Sequence, residues 1–438
     1  MNAIAQTLET MMESGTGFCA WEDLEVAQQA SIALALATPP PRCVVYPQTP
    51  QELAEVMTLA NREQWRVLPC GNGSKLSWGG LVEKADVVIS TQRLNRLIEH
   101  AVGDLTVTVE AGCKFSELQQ ILKASNQFLP IDPPYPEQAT IGGILATAAT
   151  GSLRHRYGGI RDMVLGISLV RADGKIAKAG GRVVKNVAGY DLMKLFTGAY
   201  GTLGTLSQVT LRVYPLPTAS QTVLLTGTAE ALAQASKILL ASTLTPSAAD
   251  LLSTALMTRL ELGNNLGLLT RFQSIEASVQ EQSAQLVNIG HQLGLQGFNY
   301  SETDEAALWK KLQDFLWPTS QTPTPACKIG VLPANAIALL NQLDSLTAPA
   351  GMGLIHLGSG LGSWRFDNLI VKPETILTMR SHCQALGGFL TLLEASPTLK
   401  QQLDVWGYSG NALDLMRKIK QQFDPQNLLS PHRFVGGI

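Results

Sequence analysis

The sequence predicts an α+β protein built from more than one domain. Its 438 residues exceed the roughly 100–200 residues of a typical domain, so two or three domains are expected. Short strand patterns alternate with helical patterns as far as residue 217, which is compatible with an α+β or an α/β region, and the composition then shifts toward Ala, Leu, Gln and Ser. We therefore divide the chain into an N-terminal helical extension (1–37), a first domain (38–217), a second, mixed α/β domain (218–410) and a tail (411–438).

Strand and helix signals follow one another closely in the first domain. Thr49 is placed to cap a helix that reaches residue 61, with Pro50 at its first position and Glu52 in its first turn. A second helix is predicted over 115–125. Strands are predicted over 43–47, 67–69, 87–89 and 105–109, and a long strand over 203–214 ends at Pro215 and Pro217.

Composition and charge exclude several classes of protein. The chain is 45% hydrophobic and 16% charged, which argues against disorder. Its 33 basic and 35 acidic residues give a net charge of −2, so it lacks the basic excess of a nucleic-acid-binding protein. The N-terminus has no basic segment followed by an apolar stretch, and no early apolar run approaches a membrane span. We expect a cytoplasmic protein.

The six cysteines are scattered and form no C-x-x-C pair. This spacing favours structural thiols over a zinc site, an iron–sulfur cluster or a disulfide framework. The six positions are Cys19, Cys43, Cys70, Cys113, Cys327 and Cys383.

Glycines are concentrated in ordered groups, the first of which follows the predicted strand 67–69. Gly71-Asn72-Gly73-Ser74-Lys75 exposes backbone N–H groups that are able to hold a phosphate, although a simple turn has the same composition. The loop is not the dinucleotide fingerprint G-x-G-x-x-G, because Leu76 stands where the third glycine belongs. The chain also lacks the phosphate-binding motif G-x-x-x-x-G-K-[ST], so NAD and ATP lose support.

Small residues dominate a second segment, 131–152, which contains Ala-Thr-Ile-Gly-Gly and Ala-Thr-Gly-Ser. They leave room for a large flat ligand beside the backbone, although a tightly packed Ala/Gly helix is the alternative. The third segment runs through Tyr-Gly-Gly-Ile-Arg-Asp-Met-Val-Leu-Gly, a strand and the turn Ala-Asp-Gly. Lys-Asn-Val-Ala-Gly-Tyr-Asp and Gly-Thr-Leu-Gly follow it.

In this order, the motifs of residues 38–217 resemble the FAD-binding domain of the vanillyl-alcohol oxidase and p-cresol methylhydroxylase type. The stretch 180–191 and the run 387–393 are similar to the FAD-binding E subunit of glycolate oxidases. The segment 423–433 resembles the family's closing D-P-x-x-x-x-x-P-x-R pattern, with His432 in place of the usual glycine. The resemblance implies a two-lobed FAD-binding domain, a C-terminal cap domain and a tail that returns to the FAD-binding domain.

The resemblance also implies which residues bind FAD. The first loop would wrap the pyrophosphate, the small-residue segment would line the cofactor, and the loop at 185–191 would lie near the isoalloxazine or else fix its own conformation. The residues assigned in this way are Gly71, Asn72, Gly73, Ser74, Lys75, Thr140, Gly142, Gly143, Gly151, Ser152, Arg154, Tyr157, Gly158, Lys185, Asn186, Tyr190 and Asp191. Some relatives attach FAD through a histidine just after the loop glycines. Ser74 occupies that position here, so we expect non-covalent FAD.

The implied activity is oxidation of a CH–OH group, with the flavin as hydride acceptor. Relatives acting on D-2-hydroxy acids often carry an H-x-x-D-G-N-x-H-like metal motif, of which only His356 survives here. We therefore expect no metal site and a packed or hydrogen-bonded His356. Glu394 is a weak candidate for a site residue, and no catalytic residue is assigned.

The resemblance further implies partners. We expect the flavin-binding subunit of a glycolate or D-2-hydroxy-acid dehydrogenase complex, with a sister flavin subunit performing substrate chemistry and an iron–sulfur subunit carrying electrons. Any membrane association is expected to come through these partners. The alternatives are a self-sufficient FAD-dependent oxidase of another alcohol or hydroxy acid, and a non-catalytic subunit that retains only the fold.

Overall fold

A computed structural model describes residues 4, 7–8, 17–37, 39–181, 190–320, 324–368 and 370–438. The chain forms two compact units. The first comprises 1–150, 159–215 and 408–438, and the second comprises 151–158 and 216–407. This division differs from the predicted one at 151–158, which interrupts the first domain in sequence but packs with the second unit. No helix in the described ranges combines the length and apolar character needed to cross a bilayer.

The strands are numbered in chain order. They are β1 (Phe18–Ala20), β2 (Cys43–Val45), β3 (Val67–Cys70), β4 (Val87–Ser90), β5 (Leu97–Ala101), β6 (Thr106–Glu110), β7 (Gln127–Phe128), β8 (Val164–Val170), β9 (Ile176–Gly180), β10 (Thr205–Arg212), β11 (Tyr214–Pro215), β12 (Ala219–Gly227), β13 (Ala248–Leu252), β14 (Leu266–Ser274), β15 (Gln296–Ser301), β16 (Ala326–Gly330), β17 (Gly351–His356), β18 (Leu361–Phe366) and β19 (Phe389–Glu394).

The helices are numbered in the same way. They are α1 (Val26–Ala33), α2 (Pro50–Arg62), α3 (Phe115–Lys123), α4 (Ile141–Thr147), α5 (Arg154–Tyr157), α6 (Ile160–Met163), α7 (Leu192–Phe196), α8 (Ala229–Ala241), α9 (Thr254–Arg259), α10 (Glu276–Gln292), α11 (Glu302–Leu316), α12 (Ala336–Thr347), α13 (Pro373–Ala385), α14 (Pro397–Gln401) and α15 (Leu413–Phe423).

Two main sheets organise the described part of the first unit. One has the strand order β1-β2-β4-β3, with parallel pairs β2–β4 and β3–β4. The other is antiparallel, in the order β5-β6-β10-β8-β9. The segment 1–37, predicted to be helical, also contains β1, which pairs antiparallel with β2. That correction reflects tertiary pairing, because Phe18–Ala20 is too short to carry a strand signal of its own.

The residue predicted to cap helix α2 does so in the structure. Thr49 is extended and its Oγ1 accepts a hydrogen bond from the backbone N of Glu52 at 3.1 Å. Glu52 in turn accepts from the backbone N of Gln48 at 2.9 Å, which completes a reciprocal cap. The helix buries Leu53, Val56 and other apolar side chains against strands β2 and β4, so its amphipathic pattern fixes which face meets the sheet.

The end of the chain is fastened into the first unit by a buried carboxylate. Asp424 accepts hydrogen bonds from the backbone N atoms of Leu428 and Leu429 at 3.0 and 2.7 Å. It also accepts from Nζ of Lys420 at 2.5 Å, and that ammonium donates to the carbonyls of Thr202 and Leu429 as well. The backbone of Leu428 and its neighbours then forms hydrogen bonds with both the N–H and the carbonyl group of Val67 in β3. The tail backbone therefore runs alongside the strand that leads to the glycine loop.

Replacing Lys420 tests how strongly this fastening contributes to stability. Lys420→Met leaves the Asp424 carboxylate buried without its cation, which should lower the free energy of unfolding by about 3 kcal/mol. Urea unfolding measures the change. Lys418→Met, on the exposed side of the same helix, is the matched control and should stay within about 0.5 kcal/mol of the parent. Equal unfolding midpoints for the two variants would contradict a stabilising role for the buried pair.

The second unit is built on an antiparallel sheet. Within the described residues its order is β15-β12-β14-β13-β17-β18-β16-β19. Helices α8, α10, α12 and α13 contribute to the larger apolar core on one face, and α9 and α11 to a smaller core on the other. Arg365 and Glu394 form a buried ion pair in this sheet, with Nη2 and Oε2 2.5 Å apart. Glu394, a weak candidate for a site residue from the sequence, is therefore the structural ion-pair partner of Arg365.

Candidate functional site

A cleft in the first unit is lined by six separate parts of the chain. It encloses about 760 Å³ of space between atoms, open solvent at its mouth included. The described lining residues are Pro69, Cys70, Gly71, Asn72, Gly73, Ser74, Lys75, Leu76, Thr91, Ala111, Thr140, Gly142, Gly143, Ala146, Thr147, Phe196, Ala199, Tyr200, Gly201, Gly204, Thr205, Leu206 and Arg433.

The glycine loop after β3 is held by hydrogen bonds to its carbonyl groups. Ser90 Oγ donates to the carbonyl of Gly71 at 2.8 Å, and Thr91 Oγ1 donates to that of Cys70 at 3.2 Å. Gly73 has φ +80°, a conformation that side chains with a Cβ rarely adopt. Two carbonyl groups of the loop are therefore held by side chains, and the turn itself requires glycine at position 73.

The backbone N–H groups in the middle of the same loop behave differently from its carbonyl groups. The backbone N–H groups of Asn72, Gly73 and Ser74 donate no hydrogen bond within the described ranges. Consecutive N–H groups without an acceptor form the kind of concave surface that binds phosphate and other anions. Since this loop lines the cleft, the cleft offers an anion several backbone donors at once.

Helix α4 also lines the cleft, and its cap residue Thr140 lies directly against Gly71 of the loop. Thr140 caps it by accepting a hydrogen bond from the backbone N of Gly143 at 3.2 Å. Gly142 donates to the carbonyl of Ala111 at 2.7 Å, and a Cβ added to Gly142 would lie only 2.8 Å from the Cβ of Ala111. The small residues at 141–147 therefore form a helix that packs closely against Ala111, and this helix also lines the cleft.

Two buried cations give the cleft its charge. Lys75 is 5% exposed and Arg433 is 4% exposed, and both line the cleft. No aspartate or glutamate occurs among the described lining residues. Burial is the main cause that lowers the pKa of Arg433 to about 10, so its guanidinium is still charged at neutral pH. An anion bound here would offset the cost of removing these charges from water.

Arg433 also holds the loop itself. Its Nη2 donates to the carbonyls of Lys75, Leu76 and Trp78 at 3.3, 2.9 and 3.4 Å. The tail backbone adds a bond from the N of Gly80 to the carbonyl of Arg433 at 2.9 Å. One residue of the C-terminal tail thus shapes the glycine loop and supplies positive charge to the cleft.

The structure brings together eight of the residues assigned to FAD from the sequence. These are Gly71, Asn72, Gly73, Ser74, Lys75, Thr140, Gly142 and Gly143. Lys185 and Asn186 lie outside the described residues. Tyr190 is 90% exposed, and Asp191 accepts an ion-pair contact from Lys194 at 2.6 Å; neither lines the cleft.

The other five assigned residues lie in the second unit and not in the cleft lining. They are Gly151, Ser152, Arg154, Tyr157 and Gly158. The family resemblance had implied a cofactor contact for these residues. The chain leaves the first unit after Thr150 and returns at Gly159, and only tertiary packing reveals that excursion.

Sequence reasoning missed several lining residues. Phe196, Tyr200 and Thr205 follow or overlap motifs that the sequence analysis quoted, but no role was assigned to them. Arg433 is the arginine of the closing D-P-x-x-x-x-x-P-x-R segment. That segment was the available signal, because an arginine fixed in a returning tail is a natural counter-charge for a phosphate.

In the second unit, His356 is buried and hydrogen-bonded, as expected. Its Nδ1 lies 2.6 Å from Oδ1 of Asp250, which is fully buried on the neighbouring strand. Asp250 had no sequence signal, because the pair is created by the register of β13 against β17.

Comparison with known proteins identifies the chemistry of the cleft. Residues 41–180 match the FAD binding domain family, and residues 400–434 match the C-terminal domain of FAD linked oxidases. The cofactor is FAD. The observed cleft fits it, because unpartnered backbone donors and two buried cations suit a diphosphate, while close-packed glycines allow a large ligand near the backbone.

Curated relatives of the chain are FAD-linked oxidoreductases of hydroxy acids. Glycolate oxidase subunit GlcD of Bacillus subtilis (strain 168) is 24% identical over 416 residues, covering 89% of this chain and 88% of that one. The mitochondrial D-lactate dehydrogenase [cytochrome] of Arabidopsis thaliana is 26% identical over 423 residues, covering 90% and 73%. Glycolate oxidase subunit GlcE of Escherichia coli (strain K12) is 34% identical over 171 residues, covering 39% and 48%.

Solved structures support the fold. p-Cresol methylhydroxylase aligns with a TM-score of 0.75 at 13% identity, over 98% of this chain and 95% of that one. The 4-ethylphenol oxidase of Gulosibacter chungangensis aligns with a TM-score of 0.76 at 14% identity, over 99% and 97%. The predicted α+β fold of the p-cresol methylhydroxylase type is confirmed, with an FAD-binding domain followed by a second domain.

A buried hydroxyl in the FAD cleft provides a further test of the fit. Thr205 is 2% exposed, and its Oγ1 has no hydrogen-bond partner within the described residues. A buried hydroxyl without a partner costs free energy, so a ligand group that pairs with it is favoured. Thr205 lines the cleft at the start of β10, which makes bound FAD the natural source of that partner.

Thr205→Val should weaken FAD binding without destabilising the apoprotein. Removing the unpaired hydroxyl should leave apoprotein stability unchanged or slightly higher, while the dissociation constant for FAD should rise about three- to tenfold. Quenching of FAD fluorescence on titration with apoprotein measures the second effect. Thr210→Val on the same strand loses a bond to Thr108 outside the cleft and should leave FAD affinity unchanged. Equal FAD affinities for parent and Thr205→Val would contradict a contact at this hydroxyl.

Proposed function

We propose that this chain is the flavin-binding subunit of a glycolate or D-2-hydroxy-acid dehydrogenase complex, with non-covalent FAD. A sister flavin subunit and an iron–sulfur subunit are the proposed partners. The observation that carries the flavin role is the combination of free loop N–H groups, Lys75 and Arg433 in one cleft without a lining carboxylate. The names of the curated relatives, which include two glycolate oxidase subunits, support the substrate class.

FAD, when bound, accepts a hydride from the carbon that carries the hydroxyl group of the substrate. The residues of this chain supply binding and orientation. Asn72, Gly73 and Ser74 offer backbone donors to the diphosphate, Lys75 and Arg433 neutralise its charge, and Thr205 offers a hydroxyl. Ser90 and Thr91 keep the loop in the conformation that presents those donors.

Non-covalent attachment is supported by the composition of the cleft. Ser74 stands where some relatives carry the linking histidine, and no histidine occurs among the described lining residues. Precipitating the yellow holoprotein with acid should therefore release the flavin into the supernatant. Heat denaturation with guanidinium provides an independent release method. Flavin that stays in the washed pellet under both conditions would contradict this part of the proposal.

Dependence on partners is tested by anaerobic reduction of the bound flavin. The purified chain should show the absorbance of oxidised flavin and bleach with dithionite, but glycolate and D-lactate should bleach it at least about tenfold more slowly than in the reconstituted complex. Stopped-flow absorbance near the flavin maximum measures both rates. The dithionite control separates an unreactive flavin from a missing one.

A self-sufficient dehydrogenase is the second candidate. It is favoured by the matches to GlcD and to D-lactate dehydrogenase, each of which spans about 90% of this chain. Under this alternative, glycolate or D-lactate bleaches the flavin of the purified chain as fast as that of the complex. That outcome would replace the proposed subunit role.

A further inference from the structure

One end of the large sheet in the second unit lacks the features that usually protect a sheet edge. Strand β15 is the first strand in the spatial order of that sheet and pairs antiparallel with β12. Its other side presents a row of backbone N–H and carbonyl groups with no strand beside it in the described part of the chain. Proteins normally guard such an edge with a charge, a proline, a bulge, a very short strand or a covering segment, because an unguarded edge pairs with another chain.

Strand β15 has none of these guards within the described residues. Its sequence, Gln-Gly-Phe-Asn-Tyr-Ser, contains no charged residue and no proline. All six residues keep one register against β12, so the strand has no bulge. No backbone hydrogen bond in the described ranges joins residues 297–300 to a segment other than β12. Phe298 is 44% exposed, which leaves an aromatic ring beside the open backbone.

The other sheet ends of the described chain are guarded. In the first unit, β1 is three residues long, β3 is covered by the C-terminal tail, β5 is interrupted by a register shift and β9 carries the exposed Lys178. Strands β7 and β11 have two residues each. At the far end of the second unit's sheet, β19 is covered through a bond from the N of Leu392 to the carbonyl of Val405 at 2.8 Å. The open edge of β15 is therefore an exception, which indicates a surface that another chain covers.

A second copy of the same strand fits this edge. Along an edge strand, alternate residues point their backbone groups outward, so two β15 strands that meet antiparallel about a two-fold axis pair residues of the same parity. An axis through Asn299 places Phe298 of each copy opposite Tyr300 of the other, on one face of the extended sheet. This register pairs both aromatic side chains of the strand with aromatic partners, and such cross-strand pairs stabilise a sheet.

The charges beside the strand also favour an antiparallel second copy. Glu302 and Asp304 follow the strand directly and are exposed. With the axis through Asn299, Glu302 of one copy lies beside Gln296 of the other, so about 20 Å of strand separates the two acidic turns. That separation exceeds the Debye length of about 8 Å at physiological ionic strength. A parallel arrangement would bring the two acidic turns together and is therefore disfavoured.

We propose that β15 is a dimerisation edge, at which a second copy of this chain pairs antiparallel through its own β15 and joins the two sheets into one. The backbone of 297–301 supplies the hydrogen bonds, and the Phe298–Tyr300 pairs set the register. This dimer is independent of the proposed function, because none of its residues lines the FAD cleft.

Light scattering coupled to size-exclusion chromatography measures the assembly of the purified full chain. The parent should have twice the 47.0 kDa mass of one chain. Phe298→Lys places a charge on the edge and removes both aromatic pairs, so it should raise the dissociation constant of the dimer about tenfold or more. Leu240→Lys changes a similarly exposed apolar residue of α8 in the same unit, and this matched control should dimerise as the parent does.

Cysteine crosslinking tests the register directly, and it remains decisive if Phe298→Lys folds poorly. Asn299→Cys places two thiols across the two-fold axis, within the Cα separation that a disulfide requires, so mild oxidation should yield a covalent dimer. Gln296→Cys is exposed on the same strand but distant from its own copy, and it should not crosslink. The natural cysteines are buried or half-buried, so the parent serves as the background.

Three results would overturn the proposal. They are a monomeric parent, a dimer whose dissociation constant Phe298→Lys leaves unchanged, and crosslinking through Gln296→Cys that equals crosslinking through Asn299→Cys. The flavin content of the purified chain, which tests the proposed function, is read separately from the absorbance spectrum of the same sample.

Discussion

The first unit depends on one buried carboxylate near the end of the chain. Asp424 takes two backbone N–H groups and the ammonium of Lys420, and in doing so fixes the turn that leads to Leu428 and Leu429. From that turn, backbone bonds reach both sides of Val67 in β3. The tail at Leu428 and Leu429, more than 350 residues away in sequence, is thereby aligned with β3, the strand that leads into the glycine loop. This alignment places Arg433 in the lining of the cleft.

The cleft itself illustrates how small residues and fixed charges divide the work of binding a large anionic cofactor. Small residues bring backbone segments close together, as Gly142 does against Ala111. Side chains then hold those segments by their carbonyl groups, as Ser90, Thr91 and Arg433 do for the loop. The remaining backbone N–H groups are left available, and this is the condition under which a loop binds phosphate well. Neither glycine content nor positive charge would be sufficient without the other.

The sequence predicted the parts of this site whose signals are local. The cap at Thr49, the glycine loop and the small-residue segment 131–152 are each readable from consecutive residues, and the family resemblance supplied the order of the loop and the segment. For that segment the sequence left open a packed Ala/Gly helix, which the structure shows at 141–147. The strand β1 and the excursion of 151–158 were missed, because both are determined by packing against distant segments. Asp250 was equally invisible, since only the register of β13 against β17 places it beside His356. Thr205 became identifiable only when its hydroxyl was seen to be buried without a partner.

The position of Arg433 links FAD binding to the docking of the tail. Docking buries the guanidinium, and burial is the main cause that lowers its pKa to about 10. The docked tail therefore carries a desolvation cost, which the carbonyl contacts of Arg433 help to offset. A diphosphate bound in the cleft would bring an opposite charge close to this guanidinium. By linkage, a ligand that binds the docked form better must also stabilise docking by the same free energy. The tail is therefore part of the cofactor site in a thermodynamic sense as well as a geometric one.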